Sequence, residues 1–197
     1  MAFSSEVDLT IIVPCYNDAP TVGRALDSIL MQKTTFEFDI IVINDCSTDN
    51  SLAIIEKYAK KDNRIHVKNF KENKGIAEAF FTGLNLTSSK YVAVLDSDDY
   101  YTRKDKLEIQ IKYLENDIRE DYVAIAHCFI QEMGNGRVKP NNIRKKNDFT
   151  YLDYLDGVNE YCQTSSYIYR NIFNGKPPEC LRSYMTGENA RLSVWLM

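Results

Sequence analysis

The sequence predicts an α/β fold with parallel strands. Short apolar segments alternate with segments of helical periodicity through the first hundred residues, in the order β-α-β-α-β-α-β. The first, second and fourth predicted strands are apolar on both faces, which is typical of parallel strands covered by helices on each side. Helical crossovers join parallel neighbours through right-handed connections. We therefore expect the carboxyl ends of these strands to lie along one edge of one sheet.

Length and composition favour a single globular domain. The chain has 197 residues, 44% hydrophobic and 26% charged, which argues against disorder. The net charge of −4 gives no electrostatic reason to expect a nucleic-acid partner. Five cysteines without a C-x-x-C pair favour a reduced, cytoplasmic protein over a disulfide scaffold or a zinc site. No apolar run reaches the roughly 18 residues that span a bilayer. We expect at most a peripheral attachment to the inner face of the membrane, through segments outside this chain.

The first half carries regular strand and helix signals. We predict strands at residues 9–13, 38–43, 64–70 and 91–95. Helices are predicted over residues 22–30, 52–59 and 76–86, where apolar side chains recur at helical spacing. Pro20 suits the first turn of the first helix, and the polar segment 47–49 offers a cap for the second.

The second half is less regular. A helix is predicted over residues 104–114, one long strand over 122–133, and a hairpin turn at Asn135-Gly136. Residues 139–148 look like a basic surface loop, 151–155 like the start of a helix and 165–169 like a strand. The last segment, 187–197, begins like a helix without a cap or breaker at its end. We expect the natural chain to continue beyond it.

Polar residues follow each of the four strands of the first half. Open α/β sheets bind ligands at the carboxyl edge of the sheet, so these residues are placed where a site would form. The set is Tyr16, Asn17, Asp18, Asp45, Asn73, Asp96, Asp98 and Asp99.

The segment Asp96–Asp99 is the strongest of these signals. Three carboxylates within four residues repel one another, and oxygen-rich sites suit Mg²⁺ or Mn²⁺. Such an ion would bridge to phosphate oxygens and stabilise a diphosphate leaving group. The alternative is a solvated acidic turn that caps the following helix. Because the segment directly follows the fourth strand of this pattern, we favour the metal.

The other loops leave two interpretations open. Asp45 could accept an N–H from a base edge or could form an N-cap or Asx-turn, and the two weigh about equally. Tyr16 could line a base pocket and Asp18 could reach a ribose, or both could be ordinary turn residues. Asn73-Lys74-Gly75 could present a close contact to a ligand or form a plain turn. Glu188 could remove a proton from an acceptor hydroxyl, or it could cap the last helix.

Several segments together resemble glycosyltransferase family 2, whose inverting enzymes adopt the A-type glycosyltransferase fold. That fold is a Rossmann-like mixed sheet flanked by helices. The similarity is near continuous over residues 9–115. The segments that carry it are Ile11–Asn17, Ile41–Asp49, Asn73–Gly75, Tyr91–Asp99 and Asp99–Gln110. The resemblance implies one domain over residues 1–197, with a nucleotide-sugar-binding half at 1–115 and an acceptor-side half at 116–197.

The resemblance also implies residue roles. Asp45 would read the base, while Pro14, Tyr16 and Asp18 would line the nucleoside pocket. The third loop, with Asn73 and Gly75, and the segment Asp96-Ser97 would also contact the nucleotide sugar. Asp96 and Asp98 would serve a divalent cation, Mg²⁺ or Mn²⁺, bound to the diphosphate. A Glu-Asp pair usually supplies the catalytic base in this family, and the matching positions here are Glu188-Asn189.

The resulting expectation is an inverting, metal-dependent glycosyltransferase. It would move a sugar from a nucleotide-diphosphate sugar, with UDP-sugar the expected donor, to a saccharide or glycolipid acceptor in polysaccharide or glycoconjugate biosynthesis. One alternative is a non-catalytic nucleotide-sugar-binding module, which Asn189 favours. Another is a sugar-phosphate nucleotidyltransferase, which residues 14–20 disfavour because they contain no glycine.

Overall fold

The computed structural model describes residues 7–117, 122–133, 136–140 and 163–178. Strands and helices alternate along the first half and give way to short strands in the second. The strands are β1 Leu9–Cys15, β2 Phe38–Asn44, β3 Ile65–Asn69, β4 Tyr91–Val94, β5 Ala124–Ile125, β6 Ile130–Glu132, β7 Val138–Pro140 and β8 Ile168–Arg170. The helices are α1 Val22–Leu30, α2 Ser51–Ala59, α3 Ile76–Leu86 and α4 Lys106–Asn116, and a 3₁₀ turn covers Thr164–Ser166.

The main sheet of the described residues has the strand order β3-β2-β1-β4-β8-β5. The central strand β1 pairs in parallel with β2 and with β4, and β2 pairs in parallel with β3. Strand β8 runs antiparallel to both β4 and β5, so the sheet is mixed. The prediction of an α/β fold with parallel first-half strands is confirmed. Strands β2 and β3 lie on one side of β1 within the sheet, and β4 lies on the other side. The strand order therefore reverses between β1 and β4, which flank a topological switch point.

Alternating side chains of β1 pack into two hydrophobic cores, one on each face of the sheet. Leu9, Ile11 and Val13 belong to the core that α1, α2 and α4 cover. Ile12 belongs to the opposite core, which α3 covers with Phe80 and Phe81, both at most 1% exposed. Successive side chains of a strand point to opposite faces of the sheet, and both faces of β1 are buried. For this reason nearly every residue of the strand is apolar.

Helix α3 approaches the sheet closely at Gly83. A Cβ added at this position would lie 2.6 Å from Ile12 Cγ2, far inside van der Waals contact. The absence of a side chain at Gly83 thus sets the distance between α3 and β1.

The prediction of one long strand over residues 122–133 is wrong, because these residues form two short strands in different sheets, with β6 pairing antiparallel to β7. Residues 139–140, the described start of the predicted loop 139–148, belong to strand β7. The strand predicted at 165–169 is present but shifted, since residues 165–166 belong to a 3₁₀ turn and β8 begins at Ile168. The Gln110 side-chain amide donates to the backbone carbonyl oxygens of Ile125 (3.2 Å) and Ser166 (3.0 Å). These two carbonyl oxygens thus accept from a side chain at positions where a longer pairing of β5 with β8 would need backbone acceptors. The segments 141–148, 151–155 and 187–197 lie outside the described residues, as does Asn135 of the predicted hairpin turn.

Within the described part of the chain, every helix is too short or too polar to cross a membrane.

Candidate functional site

The first two loops of the carboxyl edge are joined by reciprocal hydrogen bonds. Asn17 has a left-handed backbone (φ 57°), which turns its side chain toward the second loop, and its Oδ1 accepts the N–H of Thr48 at 2.8 Å. In return, the N–H of Asn17 donates to the Ser47 hydroxyl at 3.0 Å. Cys46 is also left-handed, with φ 58°. Two non-glycine residues in this uncommon region, held by side-chain bonds, define the shape of the edge beside β1.

Asp45 joins the second loop to the third. Its Oδ1 accepts the N–H of Lys74 at 2.7 Å and its Oδ2 accepts the N–H of Gly75 at 2.8 Å. Asn73 Nδ2 donates to the Asp45 carbonyl at 3.3 Å. Gly75 has φ 84°, a conformation that favours glycine, and directly precedes α3. Asp45 is only 4% exposed, and its carboxylate lies at the amino end of α3, where negative charge is stabilised.

Asp18 joins the first loop to the fourth. The Ser97 hydroxyl donates to the Asp18 carboxylate, and the N–H of Asp18 donates to the Ser51 hydroxyl at 2.9 Å. The neighbouring Tyr16 side chain is 46% exposed. Pro14 is buried within β1, and it interrupts no ladder bond with β4 because that pairing ends at Ile12.

The acidic loop after β4 concentrates negative charge. Its backbone turns where the N–H of Asp99 donates to the Asp96 carbonyl at 2.9 Å, and the Asp96 N–H donates to the Ser165 hydroxyl at 3.1 Å. Partial desolvation, followed by the charges of Asp96 and Asp18, raises the pKa of Asp98. Burial, followed by the charges of Asp96 and Asp98, raises the pKa of Asp99. The folded chain therefore holds carboxylates here against their mutual repulsion.

Asp96 and Asp98 fit a divalent cation that is shared with a ligand. No group of three potential metal-ligating side chains exists among the described residues, so the structure offers no cage made of protein alone. Mg²⁺ in particular is commonly held by one or two carboxylates, with phosphate and water oxygens completing the shell. The raised pKa of Asp98 indicates that a positive charge at this loop would relieve repulsion.

A large cavity opens beside the acidic loop. It has a volume of about 1080 Å³ and is lined by Asp98 and Asp99 on one side and by residues of α4, of the β5–β6 connection and of the 3₁₀ turn elsewhere. Lys106 and Gln110 of α4 are among the lining residues, although both are buried in the fold. Sequence reasoning missed both residues, because polar positions on a helix normally face solvent.

The structure thus brings most of the predicted site residues together. Asp45, Asn73 and Gly75 share one set of contacts, and Asp18 and Ser97 share another. The Asp45 carboxylate binds the N–H groups of Lys74 and Gly75, so it bonds to the third loop rather than within its own loop, and whether it also reads a base stays a prediction. Glu188 lies outside the described residues, and its role stays a prediction.

The family model for glycosyl transferase family 2 matches residues 10–174. The chain belongs to this family. This family-2 chain is 39% identical over 106 residues to the putative teichuronic acid biosynthesis glycosyltransferase TuaG of Bacillus subtilis, a match that covers 54% of the chain and 41% of TuaG. The family-2 segment thus spans less than half the length of this curated relative.

Solved structures place the family-2 chain in the A-type glycosyltransferase fold. TarS 1–349 of S. aureus in complex with UDP superposes with a TM-score of 0.62 at 27% identity, over 90% of this chain and 52% of that one. The same protein in complex with UDP-GlcNAc gives a TM-score of 0.61 at 26% identity, over 84% and 46% of the two chains. The fold expected from the sequence resemblance is confirmed.

Proposed function

We propose that this chain carries the donor-binding part of a glycosyltransferase that moves a sugar from a UDP-sugar to an acceptor hydroxyl. The observation that carries the proposal is the meeting of four sequence-distant loops at the β1/β4 switch point, with a carboxylate pair on the last of them. UDP is the proposed nucleotide because TarS, a family-2 neighbour above 25% identity, was solved with UDP and with UDP-GlcNAc.

Different loops would contact the nucleoside and the diphosphate of the donor. We assign the base to Asp45, whose oxygens are already oriented by two N–H donors, and the nucleoside pocket to Pro14, Tyr16 and Asp18. We assign further donor contacts to the residues Asn73, Gly75 and Ser97. Asp96 and Asp98 would hold Mg²⁺ or Mn²⁺. When bound, the ion would offset negative charge on the leaving diphosphate.

The chemical step we propose is one in-line displacement. The acceptor oxygen bonds to the anomeric carbon while the bond from that carbon to the diphosphate oxygen breaks, so the configuration inverts. Glu188 takes the acceptor proton and UDP departs with the bonding electron pair. Asn189 stands where the family usually has an aspartate, so Glu188 would act without that neighbouring carboxylate.

The biological setting we propose is the synthesis of a cell-surface polysaccharide or glycoconjugate in the cytoplasm, with a saccharide or glycolipid acceptor. The support is the relative TuaG, which is named for teichuronic acid biosynthesis. Family membership speaks against the nucleotidyltransferase alternative.

Donor turnover tests this proposal. The chain is incubated with a panel of UDP-sugars and Mn²⁺, and UDP release is followed with and without candidate saccharide acceptors. We expect metal-dependent UDP release that Asp96→Asn and Glu188→Gln abolish, with Glu188→Gln retaining UDP binding. The exposed substitution Glu56→Gln on α2 is the matched control and should change nothing. UDP binding without any turnover would favour the non-catalytic module, which Asn189 supports, and absence of UDP binding would contradict the whole proposal.

A further inference from the structure

The cavity beside the acidic loop contains three buried polar atoms that lack hydrogen-bond partners within the described residues. They are the Tyr101 hydroxyl oxygen, Lys106 Nζ and Gln110 Oε1. The three residues are 4%, 7% and 4% exposed, and all of them line the cavity. A buried polar group without a partner is unfavourable, and three of them on residues that line one cavity indicate a place built for a polar ligand.

Lys106 is the most unusual of the three. It forms no ion pair with a carboxylate in the part of the chain that the structure describes, and burial lowers its pKa to about 7. Its Nζ lies 4.1 Å from the centroid of the Tyr101 ring, whose face compensates only part of the lost hydration. The two lining arginines, by contrast, are paired, Arg24 with Glu132 at 3.2 Å and Arg103 with Asp105 at 2.8 Å.

The nature of these atoms indicates the chemistry of the ligand. A bound anion favours the protonated form of Lys106, so the ammonium and the Tyr101 hydroxyl both donate, and a carboxylate or phosphate group accepts from two such donors at once. Gln110 donates through Nε2 to two backbone carbonyls, which leaves its Oε1 as an acceptor for a neighbouring hydroxyl. An anionic sugar or polyol presents that combination of groups.

The position of the cavity indicates which substrate would enter it. Asp98 and Asp99 line one side, whereas the nucleoside-loop residues Tyr16, Asp18 and Asp45 are not among the lining residues. A ligand in the cavity would therefore lie beyond the diphosphate, on the side that the second half of the chain surrounds. With about 1080 Å³, the cavity has room for more than the transferred sugar.

We propose that this cavity receives the acceptor and that Lys106 and Tyr101 bind an anionic group on it, a carboxylate or a phosphate. The inference rests on the proposed function, since it names the acceptor class of the same reaction. Lys106 is here a specificity-determining residue, while Gln110 orients an adjacent hydroxyl.

Paired neutral and anionic probes test the inference on the full chain. Methyl glucuronide is compared with methyl glucoside, and glycerol 3-phosphate with glycerol, in the presence of saturating UDP and Mg²⁺. Binding is followed by two-dimensional NMR, with the side-chain amide of Gln110 as the local reporter. We expect at least one anionic probe to bind about tenfold or more tightly than its neutral partner, and to shift the Gln110 signals. The sugar and phosphate arms show which anionic group is preferred.

Variants separate a specific contact from a general charge effect. Lys106→Met should remove the preference for the anion and leave UDP affinity unchanged. Lys104→Met removes the same charge from an exposed residue that does not line the cavity, and should keep the preference. Tyr101→Phe, which preserves the ring, should weaken anion binding about threefold or more and serves if Lys106→Met does not fold.

The outcomes also distinguish this inference from the proposed function. Equal binding of neutral and anionic probes, or equal losses in Lys106→Met and Lys104→Met, would overturn the inference while UDP binding persists. Loss of UDP binding with the anion preference intact, measured in a parallel titration without UDP, would instead contradict the proposed function.

Discussion

Asp45 offers the sharpest test of how the loops hold one another. Its two carboxylate oxygens accept the N–H groups of Lys74 (2.7 Å) and Gly75 (2.8 Å), at the start of α3. The substitution Asp45→Asn keeps one carbonyl oxygen but places an amide N–H₂ opposite the second N–H. The variant therefore loses one charge-assisted bond outright and turns the other into a neutral one.

The size of the effect follows from these contacts. A hydrogen bond to a charged group contributes about 1.5–3 kcal/mol to stability. Lys74 is exposed, so water can replace part of the lost interaction at its N–H, while Asp45 is only 4% exposed. We expect Asp45→Asn to lower the free energy of unfolding by about 2 kcal/mol, and Asp45→Ala, which loses both bonds, by about 3 kcal/mol.

Urea unfolding, followed by circular dichroism, measures both variants. The control is Glu56→Gln, an acid-to-amide change at an exposed position of α2, which should stay within about 0.5 kcal/mol of the wild type. Nucleotide affinity is measured on the same samples below the unfolding midpoint. If Asp45→Asn is as stable as Glu56→Gln, the carboxylate does not hold the third loop, and our reasoning about this edge is wrong.

Three further changes test other parts of the account. Gly83→Ala should lower the free energy of unfolding in urea by about 1–3 kcal/mol, because the added Cβ would lie 2.6 Å from Ile12 Cγ2. Adding Ile12→Val should make the loss in the double variant less than additive, and no loss in Gly83→Ala would refute the close contact. Between its folded pKa of about 7 and its unfolded pKa of 10.5, Lys106 loses its proton on folding. The free energy of unfolding of the wild type should therefore rise between pH 7 and 9 by about 1 kcal/mol per pH unit relative to that of Lys106→Met. The same pH dependence in both proteins would contradict the burial of the amine. Asp98→Asn should stabilise the metal-free protein at pH 7 by at most about 0.5 kcal/mol, because solvent screens this exposed carboxylate. The same variant should lose the stabilisation that UDP with Mn²⁺ gives in thermal unfolding. An unchanged response to UDP and Mn²⁺ would show that Asp98 is not part of the site.

The fold of the first half is predictable because its signals are local and repeated. Strands such as β1 are mostly apolar and buried throughout, and the helices after them show periodic apolar faces with nearly the observed bounds. Parallel pairing and the shared carboxyl edge then follow from connection length and handedness alone.

The short strands of the second half depend on contacts that no local pattern encodes. Strand β8 is tied to the end of α4 through Arg170, whose Nη2 donates to the Leu114 carbonyl at 2.7 Å and to the Asp117 carboxylate at 3.3 Å. The Gln110 amide reaches two segments that are 15 and 56 residues away. Such pairings are decided in the tertiary structure, so the long strand expected at 122–133 does not form.

The candidate site divides in the same way. Sequence position places Asp45, Asp96 and Asp98 at one edge, because each follows a buried strand. It does not reveal that Asp45 bonds to the third loop or that Ser97 bonds to Asp18. The burial of Lys106 escapes prediction for another reason, since a lysine at a helix start has the pattern of a solvent-facing residue.

Locating the metal and nucleotide in a crystal tests the central claim most directly. Crystals grown with UDP and Mn²⁺ are measured at the manganese absorption edge, where anomalous scattering marks the ion. The account predicts one strong peak between the carboxylates of Asp96 and Asp98, with the diphosphate touching it and the uracil ring against Asp45. An anomalous peak or a UDP molecule bound away from these three side chains would contradict it.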